Sequence, residues 1–313
     1  MALIEALHLH KQFGATVAVD DLSLTVASGQ IYGLVGSDGA GKTTTLRLLV
    51  GALKPDKGTA TVCGYSLEQQ GEQARSNIGY LSQRFSLYED LSVLENIRFF
   101  AEVRGLTTDE WLPRCMELLD FVGLAAFQSR RAGRLSGGMK QKLGLASALV
   151  SNPKVLLLDE PTTGVDPVTR QDFWQLLVRI IKRQELAVIL TTPYMDEASR
   201  CHRIGFMRSG SLLVEGSPDD LRRILAGRIV EVRGGAIAEL RRQAGKLVGV
   251  EDLRAFGDRI HLRVEPGKAD PICARLTKKP GSGISAKSVS PSLEDVFIYL
   301  TADQPNIRKE INA

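Results

Sequence analysis

Short unbroken apolar runs alternate with longer runs of helical spacing along the first part of the chain. Ile31–Val35 reads as a short apolar strand, and 155–158 as a strand of a parallel sheet covered on both faces. A further apolar run, 187–190, leads into Thr191, Thr192 and Pro193. Between these runs the spacing turns helical. Leu46, Leu49 and Val50 follow Lys42 at helical intervals, and so do Leu91, Leu94, Ile97, Phe100 and Ala101. Met139, Leu143, Ala146 and Val150 share one face of a helix that begins at Ser136 and is stopped by Asn152-Pro153. Thr107 to Glu110 has capping-box spacing, with Pro113 expected in the first turn of the helix that follows. Asp166 reads as the N-cap of a helix over 168–182.

The pattern changes after 217–228. Ile229, Val230 and Val232 predict a strand, 236–245 a helix, and 250–256 and 259–265 two strands, with Ile260, Leu262 and Val264 alternating. A helix at 269–276, a strand at 283–290 and a helix at 292–301, with Ser292 and Asp295 at capping spacing, complete the chain. The order β-α-β-β-α-β suggests a small α+β, ferredoxin-like domain. Residues 278–283 read as a flexible turn and those from 303 on as a polar, frayed tail.

Three stretches carry chemistry. Residues 36–43 are G-x-x-x-x-G-K-T between a strand and a helix. Gly36, Gly39 and Gly41 let the backbone turn its N–H groups inward, alongside Ser37, Asp38 and Ala40. The helix N-terminus at Lys42, Thr43 and Thr44 adds a partial positive charge that suits phosphate. Lys42 would reach the β- and γ-phosphates, and the Thr43 hydroxyl would ligate Mg²⁺. The strand at 155–158 ends in two carboxylates. Asp159 is positioned for the metal's water shell, and Glu160 for orienting and deprotonating an attacking water. Ser136, Gly137 and Gly138 open a helix in a manner that suits a second anion site. A plain capped core helix accounts for the residues from Met139 on, but not for two consecutive glycines in a first turn.

Together these residues resemble the ATP-binding subunit of an ATP-binding-cassette (ABC) transporter, with LSGGMKQ at 135–141 the most specific stretch. The resemblance covers roughly residues 3 to 222, with the motifs in family order. It implies a P-loop cassette over 1–224, built as an α/β core of mixed sheet with a helical subdomain at about 84–150. An accessory domain at 225–302 and a tail at 303–313 follow. It implies that Phe13 stacks on adenine; a surface or core aromatic is the plainer alternative. Gln83 matches the glutamine that touches the metal and the attacking water, and Asp166 matches a dimer-facing loop. ATP and Mg²⁺ are the implied cofactors. Two cassettes would clasp each ATP between one chain's Lys42 loop and the other's Ser136–Gly138 tip, as a homodimer or with a different or tandem partner. Hydrolysis would drive an integral membrane permease, with the helical insert docking on it. Residues 290–301 also resemble the tail of drug- and antibiotic-export cassettes.

One position departs from the family. The switch histidine expected after the two threonines is Pro193, which has no donor, acid or base. This predicts a site that binds ATP but hydrolyses it slowly. An ATP-binding regulatory cassette, or a non-transport cassette ATPase, is the alternative. Bulk properties narrow the setting. Forty basic and 36 acidic residues give a net charge of +4, too balanced for a nucleic-acid surface. Cys63, Cys115, Cys201 and Cys273 lack metal-like spacing and read as thiols in a reducing compartment. With no membrane-spanning run and no secretory start, a cytoplasmic protein peripheral to the cell membrane is expected.

Overall fold

A computed structural model describes residues 1–83, 87–277 and 283–302. The turn expected at 278–283, apart from Gly283, and the tail expected from 303 fall outside them. The chain divides into two compact units, the first being Met1–Ser217 and the second beginning at Pro218.

In the first unit, β1 (Ala2–Phe13) and β2 (Thr16–Ala27) pair as an antiparallel hairpin. β3 (Ile31–Val35), buried at all five positions, runs into the glycine-rich loop and α1 (Lys42–Leu49). β4 (Lys57–Val62) and β5 (Tyr65–Ser66) complete an antiparallel sheet in the order β2-β1-β4-β5. α2 (Gly71–Ser76) precedes β6 (Ile78–Leu81). Next come the insert helices α3 (Val93–Val103), α4 (Thr108–Phe121) and α5 (Gly137–Leu149). β7 (Val155–Asp159), α6 (Pro167–Gln184), β8 (Ala187–Thr192), the short α7 (Met195–Ala198), β9 (Arg203–Arg208) and β10 (Ser211–Gly216) follow. The second sheet has the order β10-β9-β3-β8-β7-β6. It is parallel from β9 to β6, with β10 antiparallel at its edge. β3, β7 and β8 are buried throughout, which is why their sequences are apolar runs without alternation. One apolar core joins Leu46 and Leu49 of α1 to Leu9 and Leu22 of the antiparallel sheet and Leu34, Leu157 and Ile189 of the parallel one.

Caps set the insert helices. Ser92 and Glu95 close a reciprocal box at α3. The Glu110 carboxylate accepts from the Thr107 N–H at 2.7 Å and the Thr107 hydroxyl at 2.8 Å. Because α4 starts at Thr108, Pro113 lies inside the helix and not in its first turn. Its missing N–H removes the bond that the Asp109 carbonyl would otherwise accept.

The second unit contains α8 (Pro218–Arg223), β11 (Ile229–Arg233), α9 (Ile237–Ala244), β12 (Val250–Phe256), β13 (Arg259–Val264), α10 (Ala269–Thr277), β14 (Ser285–Ser288) and α11 (Leu293–Thr301). Its antiparallel sheet runs β12-β13-β11-β14, the ferredoxin-like order. Val230, Val232, Ile260, Leu262 and Val264 form a core with Leu240 of α9 and Ile272 of α10.

Candidate nucleotide site

The loop after β3 is shaped by close backbone approaches. A Cβ on Gly36 would lie 2.4 Å from the Met207 carbonyl oxygen, and one on Gly41 2.2 Å from that of Ala18. Gly41 also has φ +105°, in the region that disfavours side chains. It precedes α1 without any side-chain cap, so the first-turn N–H groups of Lys42, Thr43 and Thr44 have no side-chain acceptor among the described residues. These residues, with Asp38, Gly39, Ala40, Gly41, Gln83 and Glu160, line a cleft of about 300 Å³ that Thr16, Val17 and Ala18 also line.

Lys42 is folded down into this loop. Its Nζ donates to the carbonyls of Gly36 at 2.9 Å and Ser37 at 3.1 Å, and lies 3.2 Å from Glu160 Oε1. Both charged side chains are almost fully buried. Glu160 Oε2 also accepts from Gln83 Nε2 at 3.1 Å and the Thr163 hydroxyl at 3.2 Å. Glu160 adopts φ +47°, a strained conformation for a residue with a side chain, and its N–H donates to Thr191 Oγ1 at 2.8 Å.

Asp159 lies behind Thr43. Its Oδ1 accepts from Thr43 Oγ1 at 3.0 Å and Thr191 Oγ1 at 2.8 Å, while its buried Oδ2 has no partner among the described residues. Burial raises the Asp159 pKa and the two hydroxyls lower it; with the neighbouring Glu160 charge also raising it, the net shift is upward. A hydroxyl beside a carboxylate with an orphaned oxygen is a hard-oxygen set that fits Mg²⁺.

Other residues singled out from sequence do not line the cleft. Phe13, half exposed, ends β1 opposite Thr16, and the Lys11 ammonium lies 5.5 Å from its ring. Ser136 caps α5, accepting the Met139 N–H at 3.3 Å. Asp166 caps α6 through the N–H groups of Val168 and Thr169. Pro193 is half-buried between β8 and α7. Sequence reasoning passed over Thr191, Thr163 and the cleft wall at Thr16–Ala18. Thr191 had a signal: a hydroxyl at the end of a fully buried apolar strand needs a partner.

A glycine loop feeding a helix N-terminus, a buried lysine, and a Thr–Asp pair beside a second carboxylate define a P-loop nucleotide-binding cassette. The family model described as "ABC transporter" matches residues 19–163. The "Probable multidrug ABC transporter ATP-binding protein YbhF" of Escherichia coli is 40% identical over 90% of this chain, which spans about half (49%) of that protein's length. The "Nod factor export ATP-binding protein I" of Burkholderia thailandensis is 37% identical over 96% of this chain and 97% of that one. Among solved structures, an ATP-binding subunit of an ABC transporter matches with a TM-score of 0.65 at 28% identity, covering 78% of this chain and all of that one. A dimeric, post-hydrolysis ATP-binding cassette bound to ADP and Pi matches at 0.62 and 25% identity, covering 68% of this chain and 98% of that one. The chain belongs to the family of ABC transporter ATP-binding subunits. No helix among its described residues is long and apolar enough to cross a membrane.

Proposed function

We propose that this chain binds Mg–ATP in the cleft of Lys42 and Thr43, closes on a second cassette around it, and powers export through a separate membrane permease. The carrying observation is the split of the machinery. Lys42, Thr43, Gln83 and Glu160 share one cleft with Asp159 directly behind it, while Ser136, Gly137 and Gly138 stay outside. A second copy, or a different cassette, would supply that tip in trans. Export is the transport class suggested by the name of one relative, the Nod factor export protein.

The residues divide the chemistry as follows. Incoming phosphate takes the place that Lys42 finds on Glu160 and the loop carbonyls, and Lys42 turns to the β- and γ-phosphate oxygens. Thr43 and Asp159 hold Mg²⁺, which neutralises phosphate charge when bound. Glu160, freed from Lys42, orients the attacking water and takes its proton, with Gln83 beside it. Phe13 offers a flat ring for the base. Pro193 offers no donor to the γ-phosphate or the water. A missing donor of that kind costs about 10²–10³ in rate, roughly 3–4 kcal/mol, so the chain's own site turns over slowly. Pro193 also favours a second reading, a regulatory ATP-binding cassette that completes a competent site on a different partner.

The test is hydrolysis and nucleotide binding by the purified chain. Lys42→Ala should abolish binding, Glu160→Gln should preserve binding and abolish turnover, and Pro193→His should raise turnover about 100-fold. Fast turnover by the unmodified chain, indifferent to Pro193→His, would exclude the slow site. Purification from detergent extract without any integral membrane partner would count against the transport role.

A further inference from the structure

Glu197 does not line the nucleotide cleft, yet it is a carboxylate with 1% of its side chain exposed. A carboxyl group buried to that degree persists only if its oxygens are satisfied. Both are. Oε1 accepts from the hydroxyl of Thr162, and Oε2 from that of Thr192 at 2.6 Å. Arg170 Nε lies 3.7 Å from Oε1, and the same guanidinium sits 4.5 Å from the centre of the Tyr194 ring.

The three partners come from three segments that carry proposed site residues. Thr162 is two positions beyond Glu160. Thr192 immediately precedes Pro193, and its hydroxyl also accepts the Tyr194 N–H at 3.0 Å, so the turn at the proline is bridged across. Arg170 lies in α6, one turn beyond Asp166. Glu160 holds a left-handed backbone conformation that lasts only where the surroundings impose it. On its N-terminal side the restraint is Thr191, through the Glu160 N–H. On its C-terminal side the nearest buried anchor is Thr162, and Glu197 is what Thr162 is anchored to.

We propose that Glu197 is a positioning residue for hydrolysis: it clamps the Glu160 segment to the end of β8 and thereby fixes the direction of the Glu160 carboxylate. Thr192, committed to Glu197 and to the Tyr194 N–H, serves this clamp and not the phosphate. In a chain whose next residue is proline, the clamp is the device that sets the geometry of the β7–β8 corner. The inference rests on the reading of Glu160 as the residue that activates water.

Single-turnover hydrolysis with enzyme in excess over ATP tests it, alongside equilibrium binding of ATP to the same preparations. Glu197→Gln keeps the shape but leaves a donor facing two hydroxyls. The rate of the chemical step should fall at least tenfold, while nucleotide Kd stays within twofold. Thr162→Val should produce the same split, and the double variant should be no slower than the slower single. Rates are expressed per bound nucleotide, so loss of folded protein alone does not register; if Glu197→Gln fails to fold, Thr162→Val carries the test. An unchanged rate per bound nucleotide, or a Kd that weakens in step with the rate, overturns the clamp. Glu160→Gln runs in parallel. If it still hydrolyses, the reading of Glu160 has failed; if it is dead while Glu197→Gln is fully active, only the clamp has failed.

Discussion

Gly137 and Gly138 are adjacent in the first turn of α5 but answer to different constraints. A Cβ on Gly138 would sit 2.1 Å from Thr169 Cγ2, inside any permitted contact, so the chain's own packing of α5 against α6 requires glycine there. Thr169 cannot easily give way, because its hydroxyl donates to Asp166 Oδ2 at 2.6 Å. A Cβ on Gly137 would meet nothing within 4 Å. Nothing among the described residues explains that glycine, whereas the close approach of a second cassette's nucleotide would. Gly138→Ala should therefore destabilise the isolated chain by about 1–3 kcal/mol through overpacking, and Thr169→Ser, which deletes the obstructing methyl, should restore most of it. Gly137→Ala should leave thermal stability level or raise it by about 0.5–1 kcal/mol, yet weaken ATP-driven pairing. Melting curves and light scattering on the variants separate the two. Equal loss of stability in both would remove the argument that one glycine faces outward.

At the scale of elements, α11 shows how a helix end can be tied to a sheet. Ser292 and Asp295 form a reciprocal box, and the Asp295 carboxylate also meets His261 Nδ1 of β13 at 3.0 Å. Burial pushes the Asp295 pKa up, but His261 and the Ser292 hydroxyl and N–H outweigh it, and the net shift is downward. A lowered folded pKa means stability that is present above the ordinary carboxylate range and lost as pH falls through the folded value. Amide exchange in α11 should accelerate at the acid end of a titration. Asp295→Asn should remove that acid dependence and cost about 1 kcal/mol at neutral pH, the usual worth of a cap. An acid response identical in the variant would mean that Asp295 does not report this end of the helix. This box, like those at Ser92 and Thr107, is local and carries three-residue spacing; the pairs at Thr107 and Ser292 were read by it, and the Ser92–Glu95 pair, spaced alike, was passed over. The buried strands were legible for a similar reason, since a strand covered on both faces must be apolar at every position. Pro113 was misread because the capping residue, not the first apolar residue, sets where α4 begins. Thr163 and Glu197 gave no signal. Thr163 is read only once the loop geometry brings it to Glu160, and the partners of Glu197, at Thr162 and Arg170, are separated from it in sequence and meet only after β7 and β8 pair.

For the whole molecule, the decisive question is whether a complete site needs two chains. The phosphate loop and the serine-glycine tip belong to one chain but not to one cleft, so a variant that damages the loop leaves the tip intact, and the reverse. In a Glu160→Gln background, where ATP should be held without turnover, the chain should double its mass by light scattering on adding Mg–ATP. Adding Lys42→Ala to that background should prevent this by emptying the cleft, and adding Gly137→Glu should prevent it by placing a carboxylate against phosphate, at a cost of several kcal/mol for like charges at an interface. Mixing these two inactive preparations restores one composite site per pair, built from the intact loop of one chain and the intact tip of the other. Doubling that returns only in the mixture, at about half the nucleotide per chain, is the expected result and requires the trans arrangement. A chain that pairs only with a different cassette would double in none of these samples, which would move the slow site proposed at Pro193 into an asymmetric assembly. Doubling by Gly137→Glu alone would mean that the tip does not reach a partner's nucleotide at all.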